Sequence, residues 1–306
     1  MRISGYDRTM SSVRAGRIFG RSTGTSVQGF TLTELLVVIA AISLLLALVI
    51  HVATAVRSDS YRASEMAAAR SLGVAWNGYA LDHRGRVLPG YAGGFRARDV
   101  AGDWVDTQTT PIAANRWPLR LAPYLGHDFS SMYSGPVASL LDELSASPTE
   151  EILYAVSVHP AFGLNSVFVG GDENYGGFSE VFRETFGDFY VRRLSSIRRP
   201  DQLVVFATSH SEEGGPSGDR GLYEGFFRVL PPSWVSPLWA NVHDPEDPAS
   251  SGFLSDRHRQ AGGDSVCIAV TADGGVTAET VESLRDMRRW SNLARHRDDV
   301  LGATGP

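Results

Sequence analysis

The chain predicts an α+β fold, in which a long N-terminal α-helix has a membrane half and a soluble half that packs on an antiparallel β-sheet head. Three observations carry this. Residues 35–56 form an apolar run of 22 residues interrupted only by Ser43, His51 and Thr54, which at 1.5 Å per residue is about 33 Å of helix, enough to cross a bilayer. From Val56 to Leu81 there is no Pro, and Met66, Leu72, Trp76, Tyr79 and Ala80 recur at spacings of three, four and seven, the stripe of a helix lying on a core. After Arg86 the periodicity shortens and Gly and Pro multiply, a composition suited to short strands and long loops.

In chain order, residues 1–29 form a leader, 30–85 the long helix with its membrane segment at 35–56, and 86–306 an extracytoplasmic α+β head. The leader holds Arg2, Arg8, Arg14, Arg17 and Arg21 against the single acid Asp7, so the positive-inside tendency keeps it cytoplasmic and sends everything after Val56 across the membrane. Glu34 stands at the mouth of the apolar run. An acid there is costly, about 2.5 to 3.5 kcal/mol at the centre of a membrane helix and less near its end, and marks a function. Asp82-His83-Arg84-Gly85-Arg86 supplies the helix stop, with Gly85 as the C-terminal cap.

Gly29-Phe30-Thr31-Leu32-Thr33-Glu34-Leu35-Leu36-Val37-Val38-Ile39 resembles the cleavage and methylation signal of type IV prepilins and of the pseudopilins of type II secretion. The likeness joins a small residue before the cut, Phe after it, Glu at the fifth mature position and an uninterrupted apolar helix. It implies that a prepilin peptidase cuts between Gly29 and Phe30, that Phe30 is N-methylated, and that Glu34 pairs with the N-terminal amine of a neighbouring subunit during assembly. Cleavage creates a cation at a helix N-terminus where the macrodipole is already positive, so a carboxylate from the next subunit relieves both. An ordinary secretory signal places its cut after the apolar region, whereas this junction lies before it.

Two further stretches resemble a large bacterial subfamily of prepilin-like proteins: Tyr79 to Gly90, an aromatic leading into a turn with Asp, Gly and Pro, and Arg116 to Gly126, similar to Trp followed by Leu-x-Pro-Tyr-Leu. The Pro-led run Ile197 to Phe206 is similar to a strand before the subfamily's last hairpin. Its terminal signature, Arg-His, nine residues, then Asp-Gly-His-Val, is degenerate here. Fourteen residues separate His258 from Asp273, and Gly275 stands in place of the second His. Asp273-Gly274-Gly275 reads as a hairpin turn, since Asp and Gly tolerate positive φ.

Composition excludes much. All 28 basic residues are Arg, which removes Schiff-base chemistry, a P-loop lysine and a Ser-Lys dyad, so an ATPase that powers assembly is another protein. A net charge of −6 argues against a nucleic-acid partner. Cys267, the only cysteine, lies in an apolar run and reads as a buried, inert thiol that forms no internal disulfide.

Within the head, Val137 to Ala146 and Phe178 to Phe186 read as short helices closed by Pro148 and Gly187. Ile152 to Val158, Ser166 to Val169, Phe189 to Arg192, Leu203 to Ala207 and Ser265 to Thr271 read as strands. Pro231 to Pro248, with five prolines, reads as a surface loop. Glu279 to Arg297 returns to helical spacing, with Val281, Leu284, Met287 or Arg288 and Leu293 on one side and many Arg and Asp on the other.

Candidate chemistry is sparse. Asp172, Glu173 and Asn174 bring three oxygen-bearing side chains onto one loop and are weak candidates for calcium, which needs six to eight oxygens; no other cofactor is expected. A hydrolase would have to recruit Ser209 and His210 with Asp201 or Asp219, but there is no Gly-x-Ser-x-Gly elbow. His83, His127, His159, His243 and His296 show no metal-ligand spacing. Phe226-Phe227 and the Trp234 to Trp239 stretch read as core or loop anchors ahead of a binding face.

The expected protein is therefore not an enzyme. It is a structural subunit of a type IV pilus or type II secretion pseudopilus in the inner membrane, N-terminus cytoplasmic and head periplasmic or extracellular. Its partners are the prepilin peptidase, other pilin or pseudopilin subunits, an inner-membrane assembly platform with its separate ATPase, and membrane lipid. The alternative is a membrane-tethered extracytoplasmic binding protein that does not polymerise.

Overall fold

The computed structural model describes residues 30–98, 102–105, 111–146, 149–212, 214–216, 221–232, 248–260 and 263–299. The leader 1–29 with Gly29, Pro148, most of the Pro231 to Pro248 stretch with Trp234 to Trp239, Asp219 and His243 lie outside the described residues. The chain divides into two compact units, one ending at Val52 and one beginning at Ala53.

In the first unit the described residues belong to the start of α1 (Leu32–Asp82). Every side chain from Phe30 to Val52 is exposed. This is one helix long and apolar enough to cross a membrane, as the expected fold requires.

In the second unit α1 runs on through Asp82, where the expected stop holds: the N–H of Gly85, at φ +79°, donates to the carbonyl of Ala80 at 2.7 Å, closing the last turn in the left-handed manner that glycine permits. The stripe Leu72, Trp76, Tyr79 and Ala80 is buried, joined by Ala69 and Ala75. Gly73 has a packing reason: a Cβ there would sit 3.0 Å from Val270 Cγ1, so its absence lets α1 approach the sheet.

Beyond α1 come α2 (Pro111–Asn115), α3 (Trp117–Leu121), α4 (Ser139–Ala146), α5 (Glu150–Val158), β1 (Phe162–Leu164), α6 (Glu180–Phe186), β2 (Val204–Thr208), β3 (His210–Ser211), β4 (Tyr223–Glu224), β5 (His258–Arg259), β6 (Ser265–Thr271) and β7 (Val276–Glu279). The main sheet is antiparallel in the order β1-β2-β6-β5, with β7 also paired to β6; β3 and β4 make a separate ribbon. β6 is its hub, and its alternation divides the interior. Ile268 and Val270 join the core that holds Leu72 and Trp76, whereas Cys267 and Ala269 join a second core with Leu284, Met287 and Trp290. A register shift between Val204 and Phe206 in β2 puts Val205 and Phe206 in the first core together.

Four expectations are corrected. Ile152 to Val158 is not a strand but the body of α5, because Thr149 Oγ1 accepts from the N–H of Ile152 at 3.3 Å and Glu150 and Glu151 fill the first turn, a cap and a dipole match that outweigh the β-branched residues. Ser166 to Val169 is a turn; the strand lies just upstream in β1. Phe189 to Arg192 makes no ladder, only a single parallel bridge from Val191 to Val169. Glu279 to Arg297 is no helix: after β7 it makes two 3₁₀ turns, Ser283–Arg285 and Met287–Arg289. The spacing there serves another end, laying Leu284, Met287, Trp290 and Ala294 onto the second face of the sheet.

The hairpin at Asp273-Gly274-Gly275 holds as expected between β6 and β7. Gly274 has φ +89°, and Asp273 Oδ1 accepts from the Gly275 N–H and the Thr271 hydroxyl. Phe226 and Phe227 are core residues.

Candidate functional site

At the start of α1, Thr31 and Glu34 bond reciprocally. The Thr31 N–H donates to Glu34 Oε2 at 2.8 Å, and the Glu34 N–H donates to Thr31 Oγ1 at 3.2 Å. This is a capping box, which satisfies two of the N–H groups that a helix start leaves without a partner. The Thr31 hydroxyl also donates to Glu34 Oε2 at 2.8 Å. Phe30 stands immediately before the box, 77% exposed. Glu34 is the only Asp, Glu, Lys or Arg between Phe30 and Val56.

A second glutamate on the same helix belongs to no motif that the sequence singles out. Glu65 is fully buried, and five side-chain donors converge on it. Arg257 grips it with two nitrogens, Nη2 to Oε1 at 2.9 Å and Nε to Oε2 at 3.1 Å; His258 Nε2 lies 2.5 Å from Oε2; Ser134 and Tyr61 hydroxyls donate to Oε1 at 2.8 and 3.0 Å. Burial alone would raise the Glu65 pKa, but the bonds from His258, Arg257 and Ser134 outweigh it and hold the carboxyl down at about 2. Arg257 also pairs with Glu224 at 2.9 Å. The acids beside it hold its guanidinium charged despite its burial.

The Arg-His pair of the degenerate signature is thus bound to α1, while its Asp273 closes a hairpin turn through Thr271 and Gly275. The two halves of the signature serve different contacts. Glu65 carried one sequence signal: an acid on the edge of an otherwise small and apolar helical stripe, Ala69, Leu72 and Trp76. Its partners, 192 and 193 positions away, left no local trace.

The calcium candidates are drawn into other bonds. Asp172 is fully buried; its Oδ2 accepts from Arg228 Nε at 2.8 Å and from Ser166 Oγ at 2.6 Å, and its Oδ1 caps a short turn through the Asn174 N–H. Glu173 accepts from the Gly93 N–H. Among the described residues no group of three or more His, Cys, Asp or Glu side chains gathers as a metal site would need.

Ser209 and His210 are not brought together as nucleophile and base. The Ser209 hydroxyl donates to the Phe226 carbonyl at 2.7 Å inside the core, while the His210 ring lies 3.9 Å from Glu212. Cys267 is fully buried, and burial pushes its thiol well above the usual range, the inert state expected of it.

No protein-family model, curated protein or solved structure matches the chain.

Proposed function

We propose that the chain is a pilin-like structural subunit, processed between Gly29 and Phe30 and assembled through the N-terminal half of α1 into a pilus or secretion pseudopilus, with its head on the far side of the inner membrane. The observation that carries this reading is the combination at the start of α1: an apolar helix exposed along its first twenty residues and more, whose single acid sits in the capping box one turn from Phe30. Exposed apolar surface of that extent needs lipid or other helices around it. In an assembled filament Glu34 exchanges its bond to Thr31 for the new amine of a neighbouring Phe30, a charged partner in place of a neutral one.

Mass spectrometry of the mature N-terminus tests the processing. The expected product begins at N-methylated Phe30, and a chain still carrying residues 1–29 overturns the reading. Crosslinking of Glu34→Ala tests assembly: the variant is expected to be processed but to lose its subunit-to-subunit adducts. Adducts at the wild-type level would instead favour a lone membrane-tethered protein.

A further inference from the structure

The head contains a basic and aromatic cleft that none of the roles above uses. A cavity of about 740 Å³ is lined by Arg86, Arg192, Arg193 and Arg198, against one acid, Asp188, which Arg192 already holds at 2.6 Å. A second recess of about 260 Å³ adjoins it, sharing Tyr79, His83 and Phe95, and adds Arg96, Arg98 and Arg120. Together they fall in the size range of sites that hold small ligands.

Seven guanidinium groups on one cleft contrast with a chain whose net charge is −6. Among the described residues the guanidinium of neither Arg86 nor Arg198 makes an ion pair or a hydrogen bond, Arg198 donating to Asn292 Oδ1 at 2.8 Å through its backbone N–H alone, and both residues are exposed. Arg120 is more telling. It is 5% exposed, donates among the described residues only to the carbonyls of Arg116, Gly90 and Asn115, and keeps Nη1 without a hydrogen-bond partner there. Burial pushes its pKa down to about 10. The nearby acids are committed elsewhere, Asp172 to Arg228 and Glu173 to the Gly93 N–H. A buried cation held by carbonyls and one aromatic face, with no acid of its own, is costly unless an anion completes it.

The aromatic residues decide what kind of anion. Tyr79 is stacked on His83 with centroids 3.9 Å apart, and the Trp104 ring carries Arg96 at 4.4 Å and Arg98 at 4.1 Å. Tyr79, 7% exposed, and Trp104, half exposed with two guanidinium groups over its ring, are therefore partly occupied as platforms for the bases of a nucleic acid. Phe95, which has Arg120 5.2 Å from its ring centroid, and Phe178, edge-on to Tyr190, keep part of their rings in solvent, 37% and 48% exposed, surfaces of a size to take the C–H face of a sugar. The guanidinium fork matches a carboxylate or sulfate with two parallel bonds. We propose that this cleft binds an acidic oligosaccharide, a short run of sugars bearing carboxylate or sulfate groups, which spans both recesses.

Calorimetry on the full chain in detergent micelles tests this with four probes: a galacturonic acid trimer, a sulfated galactose trimer, the uncharged galactose trimer and a thymidylate hexamer. Either acidic trimer is expected to bind and the uncharged one not to, and the better of the two acidic trimers identifies the acid group. The double variant Arg86→Ala/Arg198→Ala is expected to weaken the acidic trimer at least tenfold with an unchanged melting temperature, since both side chains are exposed and without partners among the described residues. The proposal is overturned if neither acidic trimer gives heat, if the uncharged trimer binds as well, if the double variant keeps wild-type affinity, or if the thymidylate hexamer binds more tightly than both sugars. Filament assembly does not enter the measurement, so its result is independent of the pilin reading.

Discussion

Helix α1 carries two glutamates in opposite circumstances. Glu34 is exposed, and among the described residues the only hydrogen-bonding partners of its carboxylate belong to Thr31, three residues away. Glu65 is buried, and of the four residues that donate to it only Tyr61 is local; Ser134, Arg257 and His258 come from distant parts of the head. The difference shows two uses of one residue type: a carboxylate kept satisfied by its own helix remains exchangeable, while one enclosed by distant donors fixes the helix to a domain. The first arrangement suits a contact that has yet to be made. The second is finished within the chain.

The largest effect is expected from breaking the enclosed site. Glu65→Ala leaves Arg257 buried beside an empty place, a change that typically costs about 3 to 5 kcal/mol and lowers the melting temperature by about 6 to 20 °C in a domain of this size. Glu34→Ala, followed by the same thermal unfolding of the head, is expected to change nothing. A Glu65→Ala head that melts within about 2 °C of wild type would remove the distinction.

Acid sharpens the same comparison. The folded Glu65 carboxyl is held down at about 2 from an ordinary 4.5, so its contribution is complete above 4.5 and is lost as the pH falls from there toward 2. The loss amounts to about 3 kcal/mol on the acid side. Urea midpoints measured between pH 5 and pH 2.5 should fall steeply for the wild type and less steeply for Glu65→Gln; parallel curves would show that other carboxyls carry the acid limb.

The smallest effect belongs to the exposed site. Thr31→Val removes the hydroxyl half of the capping box, worth about 1 kcal/mol, and is expected to speed amide exchange at Glu34 about fivefold without moving the melting temperature of the head. Unchanged exchange would mean that the carboxylate alone caps the helix.

Much of this was legible in the chain because it is local. The run of α1, its Gly85 stop, the β6 strand and the hairpin at Gly274 each announce themselves within about ten residues, through periodicity or the φ that glycine permits. What misled was also local. Ile152 to Val158 has the β-branched look of a strand, and only Thr149, Glu150 and Glu151 in front of it reveal the helix. The Leu284, Met287 and Leu293 spacing suits a helix, yet a segment of 3₁₀ turns reaches the same sheet face. The Glu65 site and the arginine cleft were hidden for a different reason. Their parts come from segments far apart in the chain, and no window of sequence contains them.

The placement of β6 has a consequence for how the protein is made. Both interior layers are hung on residues 265–271, so neither can close until Thr271 has left the ribosome. At about 5 to 20 residues per second, the stretch from Asp82 to Thr271 takes roughly 10 to 40 s to synthesise. For that interval the apolar start of α1 is already complete while the head that will hold its other end is not. The order of synthesis therefore leaves the apolar N-terminal segment in need of cover, from lipid or from other apolar surface, before the domain behind it has a core.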